Sequence, residues 1–191
     1  MYYVEQFYPN WRELSIHEMA PGGRGASLKL GTANDYTSSQ YDPALRLGAR
    51  SPNGWVNQDA ERQTYADNSF DLVVTQDVFE HIFDIDAAFR EIARTLRPGG
   101  AHIFTTPLVN KAKPTEARAS RESDGSIRHL CEPEYHGNPV DPKGSLVTWN
   151  FGYDLAARVI RLTDMPTVVF SQDRLDLGIQ AEYIEVLASL K

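Results

Sequence analysis

The chain has a single cysteine, Cys131, so no disulfide can form within it, and that scarcity fits a reducing compartment. No apolar run approaches the roughly 20 residues that a membrane-spanning helix needs. The opening residues, MYYVEQFYPNW, lack the charged-then-apolar order of a secretory signal. Positive charge is in deficit: 19 Lys and Arg against 26 Asp and Glu give a formal charge of -7. A nucleic-acid backbone is therefore not expected as the main partner, because that requires a basic face. Together these absences predict a cytoplasmic protein without a membrane span. What remains is ordinary: 41% hydrophobic and 24% charged residues over 191 positions, enough for one domain, residues 1–191, with a substantial core.

The informative stretch runs from Val56 to Pro107. Two apolar runs, Phe70–Thr75 and Ala101–Thr106, have the pattern of strands buried on both faces. Between them Phe89, Ile92, Ala93 and Leu96 recur at helical spacing, with Asp86 as the expected N-cap and Pro98-Gly99-Gly100 as the stop. Strand, helix, strand is a βαβ unit, which implies a parallel sheet in an α/β fold. Upstream, Leu14–Met19 reads as a first strand, followed by a glycine-rich turn and a helical Ala26–Ala33. Asn34–Tyr41 and Gly54–Gln58 read as strands two and three. Downstream, Tyr153–Leu162 is helical, and Thr167–Ser171 and Glu182–Leu187 read as strands six and seven, with a helix as the alternative for the last. The aromatic-rich Met1–Trp11 is expected as a short helix or arm covering the core; its aromatics also make a homodimer conceivable.

Four pieces of this stretch occur in a recognisable order: Asp59-Ala60-Glu61, Asp67-Asn68-Ser69-Phe70-Asp71-Leu72-Val73, Glu80-His81, and Leu96-Arg97-Pro98-Gly99-Gly100. The ordered set resembles the class I S-adenosylmethionine-dependent methyltransferases, in their small-molecule, type 11-like branch. The resemblance implies a Rossmann-like, mostly parallel, seven-stranded sheet flanked by helices, with an antiparallel final hairpin. It also implies S-adenosylmethionine as cofactor, S-adenosylhomocysteine as product and a small-molecule acceptor.

By position in that pattern, Glu18 matches the acid that ends strand one, and Ala20, Gly22 and Gly25 fall near its glycines, with alanine standing where the first glycine is usual. Rossmann-like sites place an acid at the end of strand two to accept from the ribose hydroxyls; here the matching residue is Gln40, with Asp42 close by. Asp59 and Ala60 match the positions that meet the adenine amino group and a ring nitrogen. For Asp59 the alternative is that it caps the turn through Glu61 and Arg62. Ligands of open parallel sheets lie beyond the carboxyl ends of the strands, so Gln76 and Asp77 are expected to line the reactive end.

After strand five comes a long polar stretch, about 108–149, read as an irregular insertion facing the acceptor. Tyr135, Asn138 and Trp149 are its candidate substrate contacts. His81 and His136 are the candidate bases or acceptor contacts, because imidazole titrates near neutral pH. The spacing of His129, Cys131 and His136 fits no common metal site, so no metal ligands are expected. Two competing readings remain: a methyltransferase-like domain that has lost its chemistry and serves as an interaction or regulatory module, and a nicotinamide dehydrogenase. The dehydrogenase needs a cleaner glycine fingerprint than Ala20–Gly25 spells.

Overall fold

A computed structural model describes residues 1–137 and 142–191. Its centre is a seven-stranded sheet formed by β1 (Ser15–Met19), β2 (Asp35–Gln40), β3 (Val56–Asn57), β4 (Phe70–Gln76), β5 (Leu96–Thr105), β12 (Thr167–Phe170) and β13 (Val186–Leu190). The strand order is β12-β13-β5-β4-β1-β2-β3. Strands β1 to β5 pair in parallel, whereas β13 runs antiparallel to both β5 and β12. The mostly parallel sheet and the antiparallel final hairpin therefore stand as the sequence predicted.

Side-chain alternation divides the core between the two faces of the sheet. Val73, Phe104 and Leu187 point to one face, where α3 (Ile85–Thr95) and α4 (Asp154–Thr163) bring Phe89, Ile92, Leu155 and Val159. Leu72, Val74, Ile103 and Ala188 point to the other, covered by Val4 of α1 (Tyr2–Phe7), by Trp11 and by Leu30 of α2 (Ala26–Leu30). Burying both faces is what makes β4 and β5 continuous apolar runs. The N-terminal aromatics do cover the core: Tyr3 and Phe7 pack on Phe170 with ring centres 4.9 and 5.3 Å away.

Several boundaries differ from the sequence reading. The N-cap of α3 is Asp84, whose carboxylate accepts the Ala87 N–H at 2.9 Å. Asp86 instead lies inside the helix and takes the Arg158 Nε–H at 2.7 Å, tying α3 to α4. Strand β5 begins at Leu96, so Pro98-Gly99-Gly100 bends a strand that has already started. A Cβ at Gly100 would lie 2.8 Å from the Asp71 carbonyl oxygen, so only glycine fits beside this irregular register of β4 and β5. The final strand is Val186–Leu190, because that segment pairs with Ala101–Phe104 of β5. Helix α2 stops at Leu30, and strand three shrinks to two residues.

The insertion is built from short ladders rather than irregular chain. They are β6 (Glu116–Ala117) with β11 (Trp149–Asn150), β7 (Ala119–Arg121) with β8 (Ile127–His129), and β9 (Tyr135–His136) with β10 (Ser145–Leu146). No helix among the described residues is long and apolar enough to cross a membrane.

Two histidines lie wholly inside the sheet. His17 meets the Ser39 hydroxyl at 2.8 Å, and His102 meets the Thr75 hydroxyl at 3.0 Å while stacking on Phe104. Burial drives both pKa values down to about 3, so both are neutral in the fold. In the unfolded chain each titrates near its ordinary value, so it takes up a proton there as pH falls below about 6.5 and none in the native state. Each histidine therefore costs about 2 kcal/mol of stability between pH 7 and pH 5. His102→Gln keeps a partner for Thr75 but does not titrate. Urea denaturation at the two pH values should show the variant losing about 2 kcal/mol less than the wild type on acidification; equal losses refute the assignment.

Candidate active site

The carboxyl ends of β1 and β4 meet at Glu18, which is buried, and Tyr36 reaches it from near the start of β2. Its Oε1 accepts from the Ser27 hydroxyl at 2.5 Å and the Gln76 amide at 3.0 Å, and its Oε2 accepts from the Tyr36 hydroxyl at 2.7 Å. Ser27 in turn accepts the Gly22 N–H at 3.2 Å, so the carboxylate also fixes the glycine turn. Burial raises the Tyr36 pKa, and the adjacent Glu18 charge raises it further, so Tyr36 stays a donor. Ser27 and Tyr36 were not among the sequence-predicted residues. The available signal was weak: a serine at the start of the helix after the glycine turn, and a tyrosine facing the acid from the next strand.

Ala20 adopts φ 53°, in the left-handed region where glycine is at ease, while its N–H donates to the Ser39 carbonyl at 2.8 Å. Beyond it the turn is open: a Cβ at Gly22, Gly23 or Gly25 meets nothing within 4 Å among the described residues. Gln40 ends β2 half-buried. Asp42, the substitute acid, accepts the Ala44 N–H at 2.9 Å and so caps its own turn. Asp59 caps as well: one oxygen accepts the Glu61 N–H at 3.0 Å and the other the Arg62 Nε–H at 3.2 Å, with Ala60 next to it. Those bonds leave each oxygen a further lone pair.

Past β4 the chain turns sharply. Asp77 has φ 52° and its Oδ1 accepts from the Thr105 hydroxyl at 3.0 Å, while Gln76 is held by Glu18. Glu80 and His81 follow in a single 3-10 turn, Phe79–His81. The insertion is fastened to this turn: the Thr148 N–H donates to the Glu80 carbonyl at 2.7 Å and the Trp149 indole to the Ile82 carbonyl at 2.9 Å. Trp149 is thereby part of the attachment, while Tyr135 is exposed on β9 and Asn138 lies outside the described residues. The attachment brings His136 against His81, with ring centres 5.2 Å apart and edge to face.

His81 Nδ1 lies 2.9 Å from the Leu146 carbonyl, which can only accept, so Nδ1 carries the proton and Nε2 presents a lone pair. Burial lowers the His81 pKa, and the neighbouring His136 adds to the effect. Glu80 Oε2 accepts from Thr106 at 3.0 Å, and its Oε1 lies 3.9 Å from His81 Nε2. Burial pushes the Glu80 carboxyl up to about 7, with the Asp77 charge reinforcing it.

Residues 21–104, just under half of the chain, match the sequence model of the family described as "Methyltransferase domain". A demethylmenaquinone methyltransferase of Mycolicibacterium paratuberculosis is 29% identical over 149 residues, covering 64% of this chain and 65% of that protein. A phosphoethanolamine N-methyltransferase of Triticum aestivum is 36% identical over 62 residues, covering 32% of this chain and 12% of that protein. The chain thus spans less than two thirds of these curated relatives. Among solved structures, an S-adenosylmethionine-dependent methyltransferase from Mesorhizobium loti superposes with a TM-score of 0.62 at 14% identity, covering 99% of this chain and 96% of that one. A Burkholderia thailandensis 1,6-didemethyltoxoflavin-N1-methyltransferase, solved with bound 1,6-didemethyltoxoflavin and S-adenosylhomocysteine, gives a TM-score of 0.61 at 11% identity, covering 100% of this chain and 75% of that one. At such identities the superpositions speak for the fold.

Two substitutions probe the strand-end geometry. Ser27→Ala removes one donor to the buried Glu18 carboxylate and should cost about 1–3 kcal/mol in urea denaturation. Ala20→Gly relieves the left-handed backbone and should stabilise by about 1 kcal/mol. A destabilised glycine variant contradicts the assigned φ.

Proposed function

We propose that the chain carries a class I methyltransferase domain and transfers a methyl group from S-adenosylmethionine to a small-molecule acceptor. The observation that carries the proposal is the open glycine turn, Gly22–Gly25, set beside the Glu18 knot at the carboxyl ends of β1 and β4. With no obstruction at any Cβ position, the backbone there lies open to a ligand, which is the use a Rossmann-like site makes of glycine.

In this reading the Gly22–Gly25 backbone and Gln76 border the methionine end, and the Gln40 amide oxygen accepts from the ribose hydroxyls. The spare lone pairs of Asp59 accept from the adenine amino group, and the Ala60 N–H meets a ring nitrogen. Glu18 acts through others: it holds Ser27, Tyr36 and Gln76 in place. S-adenosylmethionine supplies a methyl group on a cationic sulfur, a leaving group already activated. The protein's remaining work is alignment and exclusion of water. The insertion performs both by covering the turn after β4, where His81 Nε2 accepts the acceptor's proton when one must leave. His136, Tyr135 and Trp149 border the acceptor on that side.

The competing reading, a module without chemistry, draws on Ala20 and Gln40. Calorimetry with S-adenosylhomocysteine separates the two. Methyl transfer predicts a Kd in the micromolar range, weakened at least about tenfold by Asp59→Ala. Gln40→Glu should tighten binding by up to about tenfold, because a carboxylate accepts more strongly than an amide. No heat at millimolar ligand favours the module.

A further inference from the structure

The cluster beyond β4 contains more than a base needs. Glu80, His81 and His136 each offer one ligand-type atom, and these atoms lie within 4.8 Å of one another. We propose that these three residues form a binding site for a divalent transition-metal ion.

Four features of the cluster point the same way. Glu80 is 2% exposed, and its Oε1 has no hydrogen-bond partner among the described residues although Oε2 is satisfied by Thr106. A buried carboxylate oxygen left bare is costly, and a cation removes the cost. His81 shows the arrangement typical of a metal-bound imidazole: Nδ1–H is fixed on the Leu146 carbonyl, and the Nε2 lone pair faces the cluster. Negative charge surrounds the point, since Asp77 acts electrostatically on both Glu80 and His81, and Glu134 Oε1 lies 3.3 Å from His136 Nε2. Finally, two imidazoles and one carboxylate, with no thiolate, suit zinc or another borderline divalent ion rather than calcium or magnesium. Zinc binds such donors at about 2.0–2.2 Å, so the ligand atoms must draw in from their present separation. His136, only half-buried on the two-residue strand β9, has the freedom to make that movement.

Three protein ligands leave a zinc ion an open position. The ion's role rests on the proposed methyl transfer: with the ion in place His81 Nε2 is a ligand instead of the base, and an acceptor hydroxyl on the ion releases its proton to solvent at a lower pH and presents an oxygen anion to the methyl group. The site itself does not depend on that reading. It also differs from the His129, Cys131 and His136 set considered in the sequence, because His129 sits in β8 and Cys131 contacts the Arg118 carbonyl.

The test is titration of the full chain with cobalt(II) chloride, read by visible absorption, and with zinc chloride, read by calorimetry. The proposal predicts one equivalent bound, with the absorption bands of four- or five-coordinate cobalt. His136→Ala changes a partly exposed side chain, leaves the fold intact and should weaken binding at least about tenfold. Glu80→Gln should do the same. His129→Ala and Cys131→Ser should leave binding unchanged. No bound equivalent, or binding indifferent to His136→Ala and Glu80→Gln, overturns the proposal. S-adenosylhomocysteine calorimetry without metal fails or succeeds separately, so the two proposals are distinguishable.

Discussion

The buried Glu18 carboxylate is the interaction on which the rest of the cleft depends. It joins four elements that are far apart in sequence: β1 itself, α2 through Ser27, β2 through Tyr36 and β4 through Gln76. A charge at 1% exposure is tolerable only because donors surround it. Charge-assisted bonds are each worth about 1.5–3 kcal/mol, and removing one leaves a deficit rather than a neutral gap. The glycine turn inherits its position from this knot, since Gly22 is anchored on the same Ser27 hydroxyl. The shape of the proposed adenosyl cradle is therefore set by a carboxylate bonded to Ser27, Tyr36 and Gln76.

A second constraint shapes the acceptor side. The insertion has little core of its own and is held by backbone acceptors on the Phe79–Phe83 segment, which bind Thr148 and the Trp149 indole. Arg158 lies over the Trp149 ring while its Nε–H holds Asp86, so α3, α4 and the insertion share one fastening. This arrangement places His136, 55 positions beyond His81, beside it. The two constraints divide the work: one sets where a cofactor would lie, the other what it would face.

Much of the fold was legible in the sequence, for physical reasons. Strands buried on both faces must be continuous apolar runs, so β4 and most of β5 announce themselves, and helical spacing marks α3 and α4. Boundaries were less legible. Asp84 and Asp86 are both good capping residues, and only the backbone turn at Asp84 decides between them. The start of β5 was hidden by Pro98-Gly99-Gly100, which usually ends an element but here bends one. Of the candidate site, the strand-end positions were readable because strand order fixes them. Ser27, Tyr36 and Thr106 were not, because hydrogen-bond partners of a buried acid are set by tertiary packing. Glu80 was seen only as part of the Glu80-His81 pair; its bare oxygen is visible only in three dimensions.

The central claim is that an adenosyl group binds where β1, β2 and β3 end. The most direct measurement is a crystal structure of the chain grown with S-adenosylhomocysteine. The account predicts ligand density against the Gly22–Gly25 backbone, with the ribose at Gln40 and the adenine at Asp59 and Ala60. Density elsewhere, or an empty cleft at saturating ligand, contradicts it and leaves the fold without the chemistry.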